Sequence, residues 1–282
     1  MNDYEKKNRL AARMYQGVSQ VDGHLIFVEG IHNIGYNEIA EIVDNRGRKR
    51  MGLVLEAAEN KAIVQVFEGT SGLTLSQTKV TFRGEPLRIP VTTDMLGRVF
   101  NGLGQPIDGS STVVTADKWN VNGLPINPVS RQYPTKFIQT GISAIDGMNT
   151  LVRGQKLPVF SGSGLAHNRL AAQIVRQAKI VGEESDFAIV FCAMGVKHDV
   201  AQFFIKSFEE TGVLENVVMF LSLADAPSVE RLMTPRSALT MAEYLAFQEN
   251  MHVLVLLTDM TNYCEALREV STVRGEIPSR KG

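Results

Sequence analysis

Hydrophobic and polar positions follow two rhythms along this chain of 282 residues. Up to about residue 75, short runs alternate with period two: HLIFVEG (24–30), NEIAEIVD (37–44), RMGLVLEA (50–57) and KAIVQVFE (61–68). They recur at a spacing of about twelve residues, with charged or turn-rich stretches between them, which predicts a small antiparallel sheet or barrel. The stretch from AAENKA into KAIVQVFE reads as one hairpin.

From about residue 155 the pattern changes. Apolar stretches LPVF (157–160), FAIVFCAMG (187–195), VVMFLSL (217–223) and HVLVLLTD (252–259) alternate with helix-like segments near 168–181, 199–211, 228–249 and 261–274. Near-continuous apolar strands separated by helices mean a parallel sheet covered on both faces. The first helix has Leu170, Ile174 and Ala178 on one face, with Asn168 placed to cap it. The second begins at a capping Asp199 and stops at Gly212. Pro235 interrupts the third, predicting either two helices or one kinked helix.

Between these halves, residues 84–135 are rich in Gly and Pro. Gly102 and Gly104 make a partial G-x-G, but no strand-then-helix context surrounds it. The segment is expected to wind over a domain surface through tight turns.

Composition narrows the function classes. Twenty-nine basic residues against thirty acidic ones leave no electrostatic footprint for nucleic acid. The longest apolar run, VLVLL (253–257), is far short of the ~20 residues that cross a bilayer, so no direct membrane insertion is expected. The N-terminus has no apolar core of the signal-peptide kind, and Cys192 and Cys264 lie outside any metal-ligand spacing, which suits a reducing, cytoplasmic setting. Cys192 follows FAIVF and reads as a buried thiol. The five histidines are scattered, so no metal site is expected.

The candidate chemistry lies in SGSGLAHN (161–168), a glycine-rich turn between an apolar stretch and a helix. Ligands of open α/β sheets bind outside the carboxyl ends of the strands, and backbone N–H groups there favour phosphate. In register with the phosphate loop G-x-x-x-x-G-K-[ST], Ser161 replaces the first glycine and Ala166 the second. Gly162, Ser163, Gly164 and Leu165 fill the turn. His167 stands for the lysine and Asn168 for the Mg²⁺-binding hydroxyl. A histidine is shorter than lysine and carries no fixed charge at pH 7. Losing one charge-assisted hydrogen bond costs roughly 1.5–3 kcal/mol. The loop thus reads either as a strand-to-helix turn or as a weak nucleotide site.

Asp259 ends the last apolar strand, where a carboxylate suits either a metal partner held through water or a helix cap. Beyond the second strand, a water-activating ATPase needs a carboxylate near residue 196, and Val196 cannot accept a proton. Asp199 lies three residues on, as a cap or as a base.

These residues resemble those of the V-type and A-type rotary ATPases, in the branch of their non-catalytic B subunits. GEPLRIPVTTDMLGRVFNGLGQPIDG resembles the segment joining the N-terminal barrel to the nucleotide-binding domain. NPVSRQYPTKFIQTGISAIDGMNTLVRGQKLPVFSGSGLAHNRLAAQI resembles the stretch through the phosphate loop. MTPRSALTMAEYLAFQENMHVLVLLTDMTNYCEALREVS resembles the lead into the acidic strand end. The likeness runs from about residue 8 to 282. Degeneration at His167 and Asn168 marks the B branch, and the general-base glutamate of catalytic subunits falls at Val196.

The resemblance implies an N-terminal antiparallel β-barrel (1–75) followed by a RecA-like α/β nucleotide-binding domain (76–282), incomplete at its C-terminal side. In the family, further chain completes the sheet, carries an arginine finger and adds a helical domain; these are expected to lie beyond Gly282. It also implies a hexameric ring of three B and three catalytic A subunits, with central and peripheral stalks, on the cytoplasmic side of a membrane. ATP or ADP with Mg²⁺ would sit at interfaces with the A subunit, and the chain would hold no cofactor of its own. Turnover would be coupled to H⁺ or Na⁺ transport. The alternatives are a stand-alone ATPase, which the missing lysine–hydroxyl pair opposes, and a nucleotide sensor that binds without hydrolysis.

Overall fold

The computed structural model describes residues 13–273 apart from 124, 134, 163 and 181–186. The chain forms two units. One takes in residues up to Arg88 with Asp225–Met233 and the segment from Met260; the other takes in Ile89–Ala224 and Thr234–Asp259.

Among the described residues the first unit contains seven strands: β1 (Arg13–Gln16), β2 (Gln20–Asp22), β3 (Leu25–Glu29), β4 (Glu38–Val43), β5 (Lys49–Ala57), β6 (Lys61–Val66) and β7 (Lys79–Pro86). They form one antiparallel sheet in the order β1-β7-β4-β5-β6-β3-β2. All four expected runs are strands, and β5 and β6 form the expected hairpin. The outermost strands are consecutive in the chain, joined through Gly17–Ser19. Four Cα steps reach at most ~15 Å. A flat sheet of this width would hold its edges ~29 Å apart. The sheet therefore has to curl. Its concave side buries Ile26, Ile42, Val54, Val64 and Phe82. Gly52 is required there, because a Cβ would meet Val64 Cγ1 at 2.6 Å and Ile42 Cδ1 at 2.8 Å.

The second unit is built on a parallel sheet. Its strands are β9 (Val99–Phe100), β13 (Phe187–Val196), β14 (Val217–Leu223) and β15 (His252–Thr258), in the order β15-β13-β14-β9. Short pairs accompany it: β8 (Arg88–Pro90) with β10 (Lys118–Asn120), and β11 (Ile138–Gln139) with β12 (Lys179–Ile180). Its helices are α1 (Ser143–Met148), α2 (His167–Gln177), α3 (His198–Glu210) and most of α4 (Ser228–Phe247); the start of α4 and all of α5 (Met260–Val273) fall in the first unit.

The central β13 is buried along most of its length, as its unbroken apolar run requires. Cys192 lies inside it, and burial pushes its thiol far above the usual range. On α3, Ala201, Phe204 and Phe208 recur at helical spacing and are buried. Phe204 and Phe208 pack on Phe191 of β13, with ring centroids 4.6 and 5.2 Å away. Gly212, left-handed at φ 69°, follows the end of α3 as predicted.

Three expectations need correction, and one open alternative is decided. LPVF is not a strand: Leu157 touches the core, but Val159 and Phe160 are exposed and no ladder among the described residues includes them. A strand needs a hydrogen-bonding neighbour, and β-propensity cannot supply one. The stretch after Arg88 is not purely a surface winding, since Ile89, Val91, Met95 and Phe100 are fully buried and β9 forms the sheet edge. On α2 the deepest residues are Ala172 and Val175, with Ile174 and Ala178 beside them. Pro235 lies inside one continuous helix, which decides against two.

Candidate functional site

The carboxyl ends of the parallel strands carry the residues singled out in the sequence. β13 ends at Val196, which is buried and paired with Leu223 after a register shift. Its neighbour β15 runs alongside as far as Thr258 opposite Ala193, and Asp259 follows directly. The Thr258–Asp259 peptide bond is cis, and α5 starts at the next residue. Val196 and Asp259 thus stand at the same end of adjacent strands. Among the described residues, no group of three His, Cys, Asp or Glu side chains is placed to hold a metal ion.

The glycine-rich turn leads directly into α2. Ser161, Gly162, Gly164, Leu165 and Ala166 are exposed, while Ser163 is outside the described residues. Gly164 has φ 83°. Within the turn, Leu165 N–H donates to the Gly162 carbonyl at 3.3 Å and His167 N–H donates to the Leu165 carbonyl at 2.9 Å. A phosphate-binding nest needs such N–H groups aimed outward. Here the loop's own carbonyls take two of them.

Helix α2 starts at His167, with Ala166 before it and no capping bond from a side chain. Asn168 is therefore its second residue and not its cap, a correction to the sequence reading. His167 is half-buried, and its Nδ1 has no hydrogen-bond partner among the described residues. Asp199 is not a cap either: α3 begins at His198 after Lys197, again without a side-chain cap. Asp199 sits in the first helical turn, where a carboxylate favours the positive end of the helix dipole.

The turn and the start of α3 enclose a cavity of about 280 Å³, lined by Leu165, Ala166, Asn168, Arg169, Asp199, Val200 and Phe203. Asn168 and Asp199 are brought together there; Val196 and Asp259 are not among its walls. Arg169 and Phe203 escaped the sequence reading. Arg169 follows the motif window directly, and Phe203 was hidden among the core phenylalanines of α3.

This order of units and site is that of a known class. The chain belongs to the ATP synthase alpha/beta family: the nucleotide-binding domain of that family matches residues 141–282, and its β-barrel domain matches residues 18–84. An N-terminal β-barrel domain is thus followed by an α/β nucleotide-binding domain, as expected. Within the family the chain is similar to the V-type ATP synthase beta chain of Halothermothrix orenii, with 58% identity over 273 residues. That match takes in 97% of this chain and 59% of the relative, so the chain spans about three fifths of the relative's length.

Proposed function

We propose that this chain is the non-catalytic B subunit of a V/A-type rotary ATPase. It alternates with catalytic A subunits in a hexameric ring, with barrels at 1–75 and nucleotide-binding domains at 76–282. ATP or ADP and Mg²⁺ sit at its interfaces with the A subunit, held by the A-subunit phosphate loop. Nucleotide turnover there rotates a central stalk against peripheral stalks and moves H⁺ or Na⁺ across a membrane. The subunit lies peripherally, on the cytoplasmic side; among the described residues no helix is long and apolar enough to cross a membrane.

One observation carries this reading. In a chain 58% identical to a V-type ATP synthase beta chain, the turn at 161–168 has His167 and Asn168 where a working phosphate loop needs lysine and a hydroxyl. Its Leu165 and His167 N–H groups are spent inside the loop. Val196 supplies no base and Asn168 gives Asp259 no hydroxyl at that position to share a Mg²⁺ with, so the chain does not hydrolyse ATP by itself.

Calorimetric titration with MgATP, with phosphate release followed in the same sample, tests the site. Binding that is weak or absent, with no turnover, is the expected result. Mixing with the A subunit should then give a stoichiometric complex that hydrolyses ATP. Steady turnover by the chain alone, abolished by Asp259→Asn, would overturn the proposal. Tight binding without turnover would favour a nucleotide sensor.

A further inference from the structure

The sequence holds two Asn-Gly pairs in nearly identical settings, FNGL at 100–103 and VNGL at 121–124. Asn-Gly is the dipeptide in which the backbone nitrogen most readily attacks the side-chain amide, because glycine has no Cβ to obstruct the approach. Local sequence alone gives the two sites the same reactivity. The structure treats them differently.

Asn101 is locked. Its Oδ1 accepts from the backbone N–H of Leu103 at 3.0 Å and of Gln105 at 2.9 Å, and its Nδ2 donates to Gln105 Oε1 at 3.2 Å. Gly102 is buried, and its carbonyl accepts from Ser237 Oγ at 2.7 Å. For the Gly102 nitrogen to reach Asn101 Cγ, these bonds must break together.

Asn122 is exposed, and its surroundings favour the reaction. Arg236 Nη1 donates to its Oδ1 at 3.0 Å. The Glu243 carboxylate lies beside the following glycine: a Cβ built on Gly123 would meet Glu243 Oε2 at 3.4 Å. Asn122, Gly123, Arg236, Thr240 and Glu243 are all walls of one cavity of about 370 Å³, open enough to admit water. Attack is opposed by the bond from Gly123 N–H to the Asn120 carbonyl at 3.1 Å.

We propose that Asn122–Gly123 is a self-modification site, at which Arg236 and Glu243 promote conversion of the asparagine to aspartate or isoaspartate. The Gly123 nitrogen bonds to Asn122 Cγ, and its proton passes to the Glu243 carboxylate. Negative charge grows on Oδ1, where the Arg236 guanidinium already donates. The Cγ–Nδ2 bond then breaks, and Nδ2 takes the proton back from Glu243 and leaves as ammonia. Water opens the resulting succinimide at either carbonyl, leaving an aspartyl or an isoaspartyl residue at position 122. No oxidant or cofactor takes part. The product sets a new carboxylate against Arg236 and moves the chain's formal net charge from −1 to one unit more negative.

Peptide mapping of the full chain during incubation at mildly alkaline pH provides the test, with Asn101 as the internal reference. In the folded chain Asn122 should convert at least about tenfold faster than Asn101, while in urea the two rates should converge, since only the fold supplies the guanidinium at the oxyanion. Arg236→Ala and Glu243→Gln should each slow Asn122 in the folded chain and leave the rate in urea unchanged; Arg236→Lys should retain most of it. A variant that merely loosens the fold would release Asn101 from its hydrogen bonds and accelerate that site. Equal rates for Asn122 and Asn101 in the folded wild-type chain would overturn the proposal. So would an Asn122 rate unaffected by both Arg236→Ala and Glu243→Gln.

Discussion

Asp108 holds Arg98 through two nitrogens, Nε at 2.5 Å from one carboxylate oxygen and Nη2 at 3.1 Å from the other. The same carboxylate accepts from the backbone N–H of Val99 at 3.3 Å and of Ser110 at 3.0 Å. The pair thereby ties the glycine-rich stretch 101–107 back onto β9, the edge of the parallel sheet. An edge closed in this way is blunted against pairing with a foreign strand.

The Arg98 guanidinium, first among the causes, holds the Asp108 carboxyl at about 2, against the opposing effect of burial. A depressed folded value means stability that is present above the carboxylate's unfolded pKa and is lost as pH falls through about 2. Asp108→Asn should therefore cost about 1–2 kcal/mol at pH 7, and the gap to wild type should close as pH falls from 4 towards 2. Urea titrations across that range check this. A gap that persisted undiminished at pH 2 would contradict the assignment to charge.

Removing an aromatic anchor should cost more. Phe204 is fully buried, between Phe191 at 4.6 Å and Phe208 at 6.1 Å. Phe204→Ala should destabilise the chain by about 3–5 kcal/mol through lost burial and the cavity left behind. Phe203→Ala, one residue away at the wall of the 280 Å³ cavity, should cost under about 1 kcal/mol, as surface substitutions usually do. Urea denaturation of the two variants reads both values.

Two glycine-to-alanine substitutions should have opposite signs. At Gly52 the new methyl would press on Val64 and Ile42 inside the curled sheet, for a loss of about 1–3 kcal/mol. Gly147 lies within α1, has no positive φ, and has nothing within 4 Å of a built Cβ. Gly147→Ala should stabilise by about 0.5–1 kcal/mol, the difference in helix propensity. Thermal melts of the two variants should bracket the wild type.

For the loop, restoring the missing groups should restore binding alone. His167→Lys with Asn168→Thr adds a fixed cation and a hydroxyl, which should tighten MgATP binding about tenfold or more through charge-assisted bonds. Turnover should stay absent, because Val196 still offers no base. Measurable phosphate release from that double variant would refute the role given to position 196.

Most of the fold was legible because its strands announce themselves: β13, β14 and β15 are near-continuous apolar runs, and β3 to β6 alternate with period two. LPVF has the composition of a strand, but composition says nothing about a neighbour to bond with, and none of the described residues provides one. β9 is two residues long, too short for any period to register. The starts of α2 and α3 were misplaced by one residue because Asn168 and Asp199 are good caps in general and nothing local forbids an earlier start. At the candidate site, the replaced lysine and hydroxyl were readable residue by residue. The internal bonds of Leu165 and His167, the grip of Asp108 on Arg98 and the contact of Arg236 with Asn122 depend on backbone paths that no spacing rule encodes.

The order of strands in the curled sheet also sets a timetable for synthesis. Arg13 of β1 pairs with Phe82 of β7, so β1 waits for this partner until about 69 more residues have been added. At a translation rate of about 5–20 residues per second, that strand waits roughly 3–14 s on the ribosome with its edge open. The β5–β6 hairpin, whose partners are 5 to 14 residues apart, can close during that interval and offer a template on which the later strands assemble.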